Sequence, residues 1–205
     1  MEMKWFEWAQ RIQAVSQAGL EYSRDPYDLE RFRELRELSV EILHEYTEID
    51  HRKLHDLFAS EKGYQTPKVD VRAAVFRNGG ILLVKEKEDS QWALPGGWAD
   101  INLTARENAE KETLEEAGIR VKASRLIAVL DRNTHVRDNF PYSVYKIFLE
   151  CEYLEGDFAE NIETLDARFF PPGELPELSE TRNTEEQIRM CFDFLRSDDK
   201  TPRFD

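Results

Sequence analysis

Residues 94–119, LPGGWADINLTARENAEKETLEEAGI, constrain this chain more than any other stretch. Gly96 and Gly97 specify a tight turn, a short loop follows, and one helix runs on to a stop at Gly118, where a left-handed backbone costs glycine little. Ala105, Ala109, Thr113 and Ala117 recur every four residues. That spacing puts a stripe of small side chains on one helical face and predicts close approach to a sheet. Glu112, Glu115 and Glu116 stand at i, i+3 and i+4 and share another face. Carboxylates so placed repel one another, which points to a cation among them. Hard divalent ions such as Mg²⁺ or Mn²⁺ take oxygen ligands from one or two carboxylates, with water and substrate phosphates completing the shell. The plain alternative is an acidic helix face solvated by water.

This spacing resembles the Nudix box: Gly, five residues, Glu, seven residues, Arg-Glu, an aliphatic, any residue, Glu-Glu, any residue, Gly, an aliphatic. Gly97 fits the first glycine, and Glu112, Glu115, Glu116, Gly118 and Ile119 fit the far end in register, behind the lead-in Leu94-Pro95-Gly96. Three positions depart: Leu103 stands for the first glutamate, Lys111 for the arginine and Thr113 for the aliphatic, while Asp100 supplies an acid in the preceding loop. Glu107 projects from another side of the helix. The resemblance implies an α/β fold over residues 67–195, a mixed sheet sandwiched between helices. It also implies metal-dependent hydrolysis of a pyrophosphate bond. Glu112 and Glu116 are then the first metal ligands and Glu115 the third, all three being the catalytic candidates.

Residues 1–66 read as a small helical N-terminal domain joined to the rest, 67–205, by a linker at residues 63–67. Trp5, Trp8, Ile12 and Val15 fall at helical spacing. Asp28 is the expected cap of a second helix with Leu29, Phe32, Leu35, Ser39, Ile42 and Leu43 inward, and Thr47 of a third with Leu54, Leu57 and Phe58. Three short helices bury little on their own, so their aromatic side chains are expected to pack on the rest of the chain or on a second copy, making a homodimer. This extension resembles that of a bacterial Nudix subgroup acting on X-linked nucleoside diphosphates, CDP-choline and ADP-ribose pyrophosphatases among them. The subgroup also tends to show GGWAD in its box.

Alternation begins after Pro67. Val69, Val71, Ala73 and Val75 predict one strand, Asn78-Gly79-Gly80 a hairpin turn, and Ile81-Leu82-Leu83-Val84 its partner. Further strands are expected at residues 91–94, 120–131, 143–152 and 164–170, a polar loop at 133–142 and a turn at 155–157. A last helix, capped by Asn183 or Thr184, would bury Ile188, Phe192 and Leu195, and the charged tail after Ser197 would fray.

The formal net charge of −14 argues against a general nucleic-acid binder, which needs a basic surface to release counterions. It leaves a small nucleotide substrate open, because metal neutralises phosphates locally. RNA end processing is disfavoured for the same reason. Two cysteines make no disulfide framework and fit reduced thiols in the cytoplasm. The N-terminus lacks the pattern of a signal peptide, and no segment is long and apolar enough to span a membrane.

Water activated by metal would attack one phosphorus and release a nucleoside monophosphate and phosphorylated X. Gly96 and Gly97 would allow close backbone approach. Arg72 and Lys85 would hold phosphate oxygens, or else make surface ion pairs; His135 would touch substrate or act as a base, although a lone loop histidine more often does neither. Trp98 would stack on a base, while Trp92 belongs in the core. Glu86 and Glu88 are candidates for a further ligand or base, but a solvated turn describes KEKED better. A different class stays open: without the first box glutamate, the domain would bind a nucleotide without cutting it, as a sensor or regulator.

Overall fold

The computed structural model describes residues 4–47, 50–52, 54, 59, 62–136, 140 and 142–205. It divides into two compact units, Met1–Pro67 with Asn139–Ser143, and Lys68–Asp138 with Val144–Asp205.

In the first unit, α1 spans Lys4–Tyr22 and α2 spans Pro26–Tyr46. Asp25, not Asp28, caps α2: its carboxylate accepts from the Tyr27 and Asp28 N–H groups, and Pro26 occupies the first turn, where its missing N–H costs nothing. Asp28 instead pairs with Arg31. The buried face of α1 is Phe6, Ala9, Gln13, Ser16 and Gln17. That is one residue, or roughly 100°, round from the expected stripe. Trp8 and Val15 are 55% and 58% exposed. Phe6, Ala9, Val40, Leu43, Leu54 and Ala59 make the small core of the unit. Thr47 ends α2 rather than starting a helix; Leu57 and Phe58 lie outside the described residues.

In the second unit the strands are β1 (Lys68–Arg77), β2 (Gly80–Glu86), β3 (Trp92–Ala93), β4 (Gly96–Trp98), β5 (Ile119–Asp131), β6 (Val144–Gly156), β7 (Thr164–Phe170) and β8 (Arg203–Phe204). The helices are α3 (Ala105–Ala117), the single turn α4 (Arg132–His135) and α5 (Glu185–Arg196). The sheet runs β3-β2-β1-β6-β5-β8, with β4 also on β1 and β7 on β2. It is mixed: β1–β6 and β5–β8 are parallel and the other pairs antiparallel. The Asn78-Gly79 turn joins β1 to β2 with both residues at positive φ.

Both faces of the sheet are covered. One packs Ala74, Ile81, Leu83, Trp92, Leu94 and Phe148 under Ile188, Met190, Cys191, Phe192 and Phe194 of α5. The other packs Val71, Ala73, Val75, Leu82 and Val84 under Ala109 and Ala117 of α3, so the small-residue stripe does set the helix close to the sheet. The tail does not fray: Arg203 and Phe204 pair with Ala128 and Val129. The expected turn at residues 155–157 lies largely within β6, where Gly156 pairs with Ile119. Thr184 caps α5 with a reciprocal bond from Gln187, and Leu195 stays at the surface.

Candidate active site

Thr104 and Glu107 form a capping box that fixes the start of α3, which accounts for Glu107 without any catalytic role. From there α3 carries Glu112 and Glu116 to the glycine turn. Gly96 and Gly97 do not form a free turn; they are the first residues of β4, pairing with Arg72 and Val71 of β1. Gly96 sits at φ +137°, and a Cβ there would fall 2.0 Å from the Val71 carbonyl oxygen, so only glycine fits. The Gly96 N–H donates to Glu116 Oε2 at 2.8 Å. A Cβ on Gly97 would stand 3.5 Å from Glu112 Oε2. Two of the three sequence-chosen acids therefore meet the double glycine.

Glu116 is only 5% exposed. Burial pushes its carboxyl up to about 8, against the opposing pull of the Arg72 charge and the Gly96 N–H, and Glu86 and Glu112 add repulsion. Burial also raises Glu112, partly offset by Lys111. Glu115 departs from the expectation: half exposed, it pairs with Lys111 at 2.7 Å instead of joining the other two. The Lys111 ammonium also reaches Glu112 at 3.1 Å and Asp100 at 3.2 Å.

Arg72 lies deep, with Nε and Nη2 each 2.7 Å from the Asp70 carboxylate and Nη1 donating to the Leu94 carbonyl at 3.1 Å. Burial works against its charge, but Asp70 outweighs it and Glu116 and Glu86 add to the attraction. Being committed to Asp70 and the Leu94 carbonyl, Arg72 braces the glycine turn from beneath instead of presenting a fork to phosphate. From the other side the Leu94 N–H donates to Asn183 Oδ1 at 2.7 Å. Trp98 follows Gly97 on β4, half exposed. Lys85 pairs by backbone with Trp92 and Asp166, and no ion pair ties it to the acids among the described residues. His135 is not brought there either: its Nε2 contacts Asp205 at 3.1 Å.

Sequence reasoning set Glu86 aside as a solvated turn. It is 6% exposed, 3.1 Å from Arg182 Nε, and felt electrostatically by Arg72 and Glu116. Glu88 is the exposed one, on the same Arg182 at 2.7 Å. Glu163, just before β7, repels both Glu86 and Glu112.

Carboxylate oxygens suit a hard divalent cation, and the nearly buried Glu116 is repelled by both Glu86 and Glu112. Among the described residues no three His, Cys, Asp or Glu side chains converge as a ready cage. That suits an ion held by one or two carboxylates, with water and substrate oxygens filling the rest.

Residues 66–191 match the family model described as the NUDIX domain, and residues 3–58 match one described as a UDP-X-like, N-terminal oligomerisation domain. The chain belongs to the Nudix family. A Bacillus subtilis protein, YjhB, named provisionally as an ADP-ribose pyrophosphatase, is 51% identical over 100% of this chain and 99% of its own length. The crystal structure of a Streptococcus suis ADP-ribose pyrophosphatase superposes with a TM-score of 0.64 at 42% identity, over 68% of this chain and 100% of that one. A UDP-X diphosphatase structure covers 98% of both chains, with a TM-score of 0.65 at 34% identity. Both the box resemblance and the subgroup resemblance are thereby met, and the protein is a Nudix hydrolase. Nudix enzymes work with divalent metal ions.

Proposed function

We propose that this Nudix hydrolase cleaves the pyrophosphate bond of a nucleoside diphosphate linked to a second moiety, of the ADP-ribose, CDP-choline or UDP-X kind, with Mg²⁺ or Mn²⁺. The observation that carries this reading is the seating of Glu112 and Glu116 against Gly97 and Gly96. Water adds to one phosphorus, the bridging P–O bond breaks, and the products are a nucleoside monophosphate and phosphorylated X.

Glu112 and Glu116 would hold the cation. Bound there, a divalent ion polarises the diphosphate and lowers the pKa of water. The chain's own groups prepare the place. Arg72 and Asn183 fix the two ends of the Leu94 peptide, the Gly96 N–H orients the Glu116 carboxylate, and the bare Cα of Gly96 lets β4 lie against β1. Lys111 gathers Glu115 and Asp100. Trp98 is half exposed beside Gly97, and its indole is the ring on which a base would stack.

The N-terminal unit serves assembly. Trp8, Val15 and Tyr22 of α1, and Tyr27, Leu38 and Tyr46 of α2, are exposed apolar side chains, and a second copy of the unit would cover them as a homodimer. Light scattering at micromolar concentration checks this: a monomer contradicts it. Two buried free thiols suit the reducing cytoplasm. No helix is long and apolar enough to cross a membrane among the described residues.

A panel of ADP-ribose, CDP-choline and UDP-sugars with Mg²⁺, products identified by phosphorus NMR, tests the activity. Appearance of AMP and ribose 5-phosphate, or of the CMP or UMP equivalents, supports it. Binding without turnover across Mg²⁺ and Mn²⁺ overturns it in favour of a nucleotide sensor.

A further inference from the structure

The last turn of α3 is held from outside the box. Carbonyls at the end of a helix have no partner within it. The Glu116 carbonyl finds two at the start of β7: the Thr164 hydroxyl donates to it at 2.6 Å and the Asn161 amide at 3.0 Å. Both donors are fixed in turn. Asn161 Oδ1 accepts from the N–H groups of Glu163 and Thr164 at 2.9 and 2.8 Å. Its Nδ2 also donates to Thr164 Oγ1 at 2.8 Å, which leaves the hydroxyl proton for Glu116. Thr164 is fully buried and pairs in register with Glu86 of β2.

Glu116 is therefore gripped at two ends. Its main chain is tied to the start of β7, and its carboxylate to the Gly96 N–H on β4. β7 lies on β2 and β4 on β1, so both anchors belong to one sheet. The stop at Gly118 sets the helix end against the chain just before β7: a Cβ there would fall 2.6 Å from the Asp157 carbonyl oxygen. A helix is stiff enough to pass a shift of the Glu116 carbonyl on to its carboxylate. Misplacing a reacting group by about 1 Å costs on the order of a hundredfold in rate.

We propose that Thr164 is a positioning residue for Glu116: its buried hydroxyl sets the height of the last turn of α3 over the sheet and so seats the carboxylate on Gly96. The link to catalysis rests on the role of Glu116 proposed above, and the two are tested apart.

Seating is read without metal or substrate, from amide hydrogen exchange at Gly96 by NMR on the full chain in chelator. Thr164→Val keeps the shape and removes the hydroxyl. It is expected to speed Gly96 exchange about tenfold or more, while Ala73, whose N–H donates to the Pro95 carbonyl, exchanges as in wild type. Thr164→Ser keeps the hydroxyl and loses a buried methyl. It should melt lower and yet hold Gly96 exchange within about twofold of wild type. The rate should follow the hydroxyl and not the stability. With Mg²⁺ and the nucleoside diphosphate derivative turned over best, kcat should fall at least about tenfold in Thr164→Val with KM nearly unchanged, and stay within about twofold in Thr164→Ser.

A Thr164→Val protein with wild-type exchange at Gly96, or with wild-type kcat, overturns the proposal. So does a Thr164→Ser protein that loses kcat as fully as Thr164→Val. Should Thr164→Val not fold, Thr164→Ala is compared with Thr164→Ser by the same criteria, since those two variants differ by the hydroxyl alone. If the wild type turns over none of the nucleoside diphosphate derivatives, the pyrophosphatase reading fails, and Gly96 exchange alone decides whether Thr164 seats Glu116.

Discussion

The backbone N–H of Gly96 donates a 2.8 Å hydrogen bond to Glu116 Oε2, so the turn and the helix that face each other across the site share one contact. That bond partly offsets burial, which still holds the Glu116 carboxyl at about 8 instead of its ordinary 4.5.

The pH dependence of stability follows. Between those two values the native chain keeps a proton on Glu116 that the unfolded chain has lost, so the native state binds more protons and stability falls as pH rises through that window. In chelator, Tm is expected to drop between pH 5 and pH 9. Glu116→Gln should flatten the drop and melt higher than wild type at pH 9, by about 2 °C or more for each kcal/mol removed. Thermal unfolding at the two pH values checks this, and parallel curves for the two proteins contradict it.

Gly96→Ala forces a Cβ to within 2.0 Å of the Val71 carbonyl oxygen at φ +137°. The expected loss is at least about 2 kcal/mol of stability in urea unfolding, at the upper end of the cost of such backbone strain. Gly97→Ala meets only Glu112 Oε2 at 3.5 Å and should fold normally.

Arg72→Met leaves the buried Asp70 carboxylate without its partner and should cost roughly 3–5 kcal/mol. The double variant Asp70→Asn, Arg72→Met should recover part of that loss, because no uncompensated charge remains. A double-mutant cycle by chemical denaturation measures the coupling, and simple additivity contradicts it.

The thiols of Cys151 and Cys191 are both pushed up to about 12 by burial. Iodoacetamide at pH 8 is expected to label neither in the native protein and both in denaturant, since thiolate is the reactive form. Mass spectrometry reads the outcome.

What the sequence made legible was local. The α3 stripe, its acids and its Gly118 stop repeat within a few turns, and the Asn78-Gly79 hairpin is encoded in adjacent residues, so spacing alone located them. The face of α1 misled because Trp8 and Val15 are apolar yet exposed, while Gln13, Ser16 and Gln17 are polar yet buried. Gln17 is buried because its amide finds the Gly63 carbonyl at 2.9 Å, a partner no helical period reveals. β8 escaped notice because two exposed residues gain their order from pairing with β5, not from any pattern of their own. Glu86 looked solvated because its neighbours in KEKED are, and the Arg182 that receives it comes from a distant loop. His135 and Lys85 lie on the right chain segments, but strand register and the Asp205 contact take them elsewhere.

The central claim is that Glu112 and Glu116 grip a cation that in turn grips a diphosphate. Its most direct test is the Mg²⁺-dependent kcat of purified, folded Glu116→Gln on whichever nucleoside diphosphate derivative the wild type turns over best. A fall of at least about a hundredfold is expected, the rate equivalent of roughly 3 kcal/mol of transition-state stabilisation. A folded variant that keeps near-native kcat at the same Mg²⁺ concentration contradicts the claim.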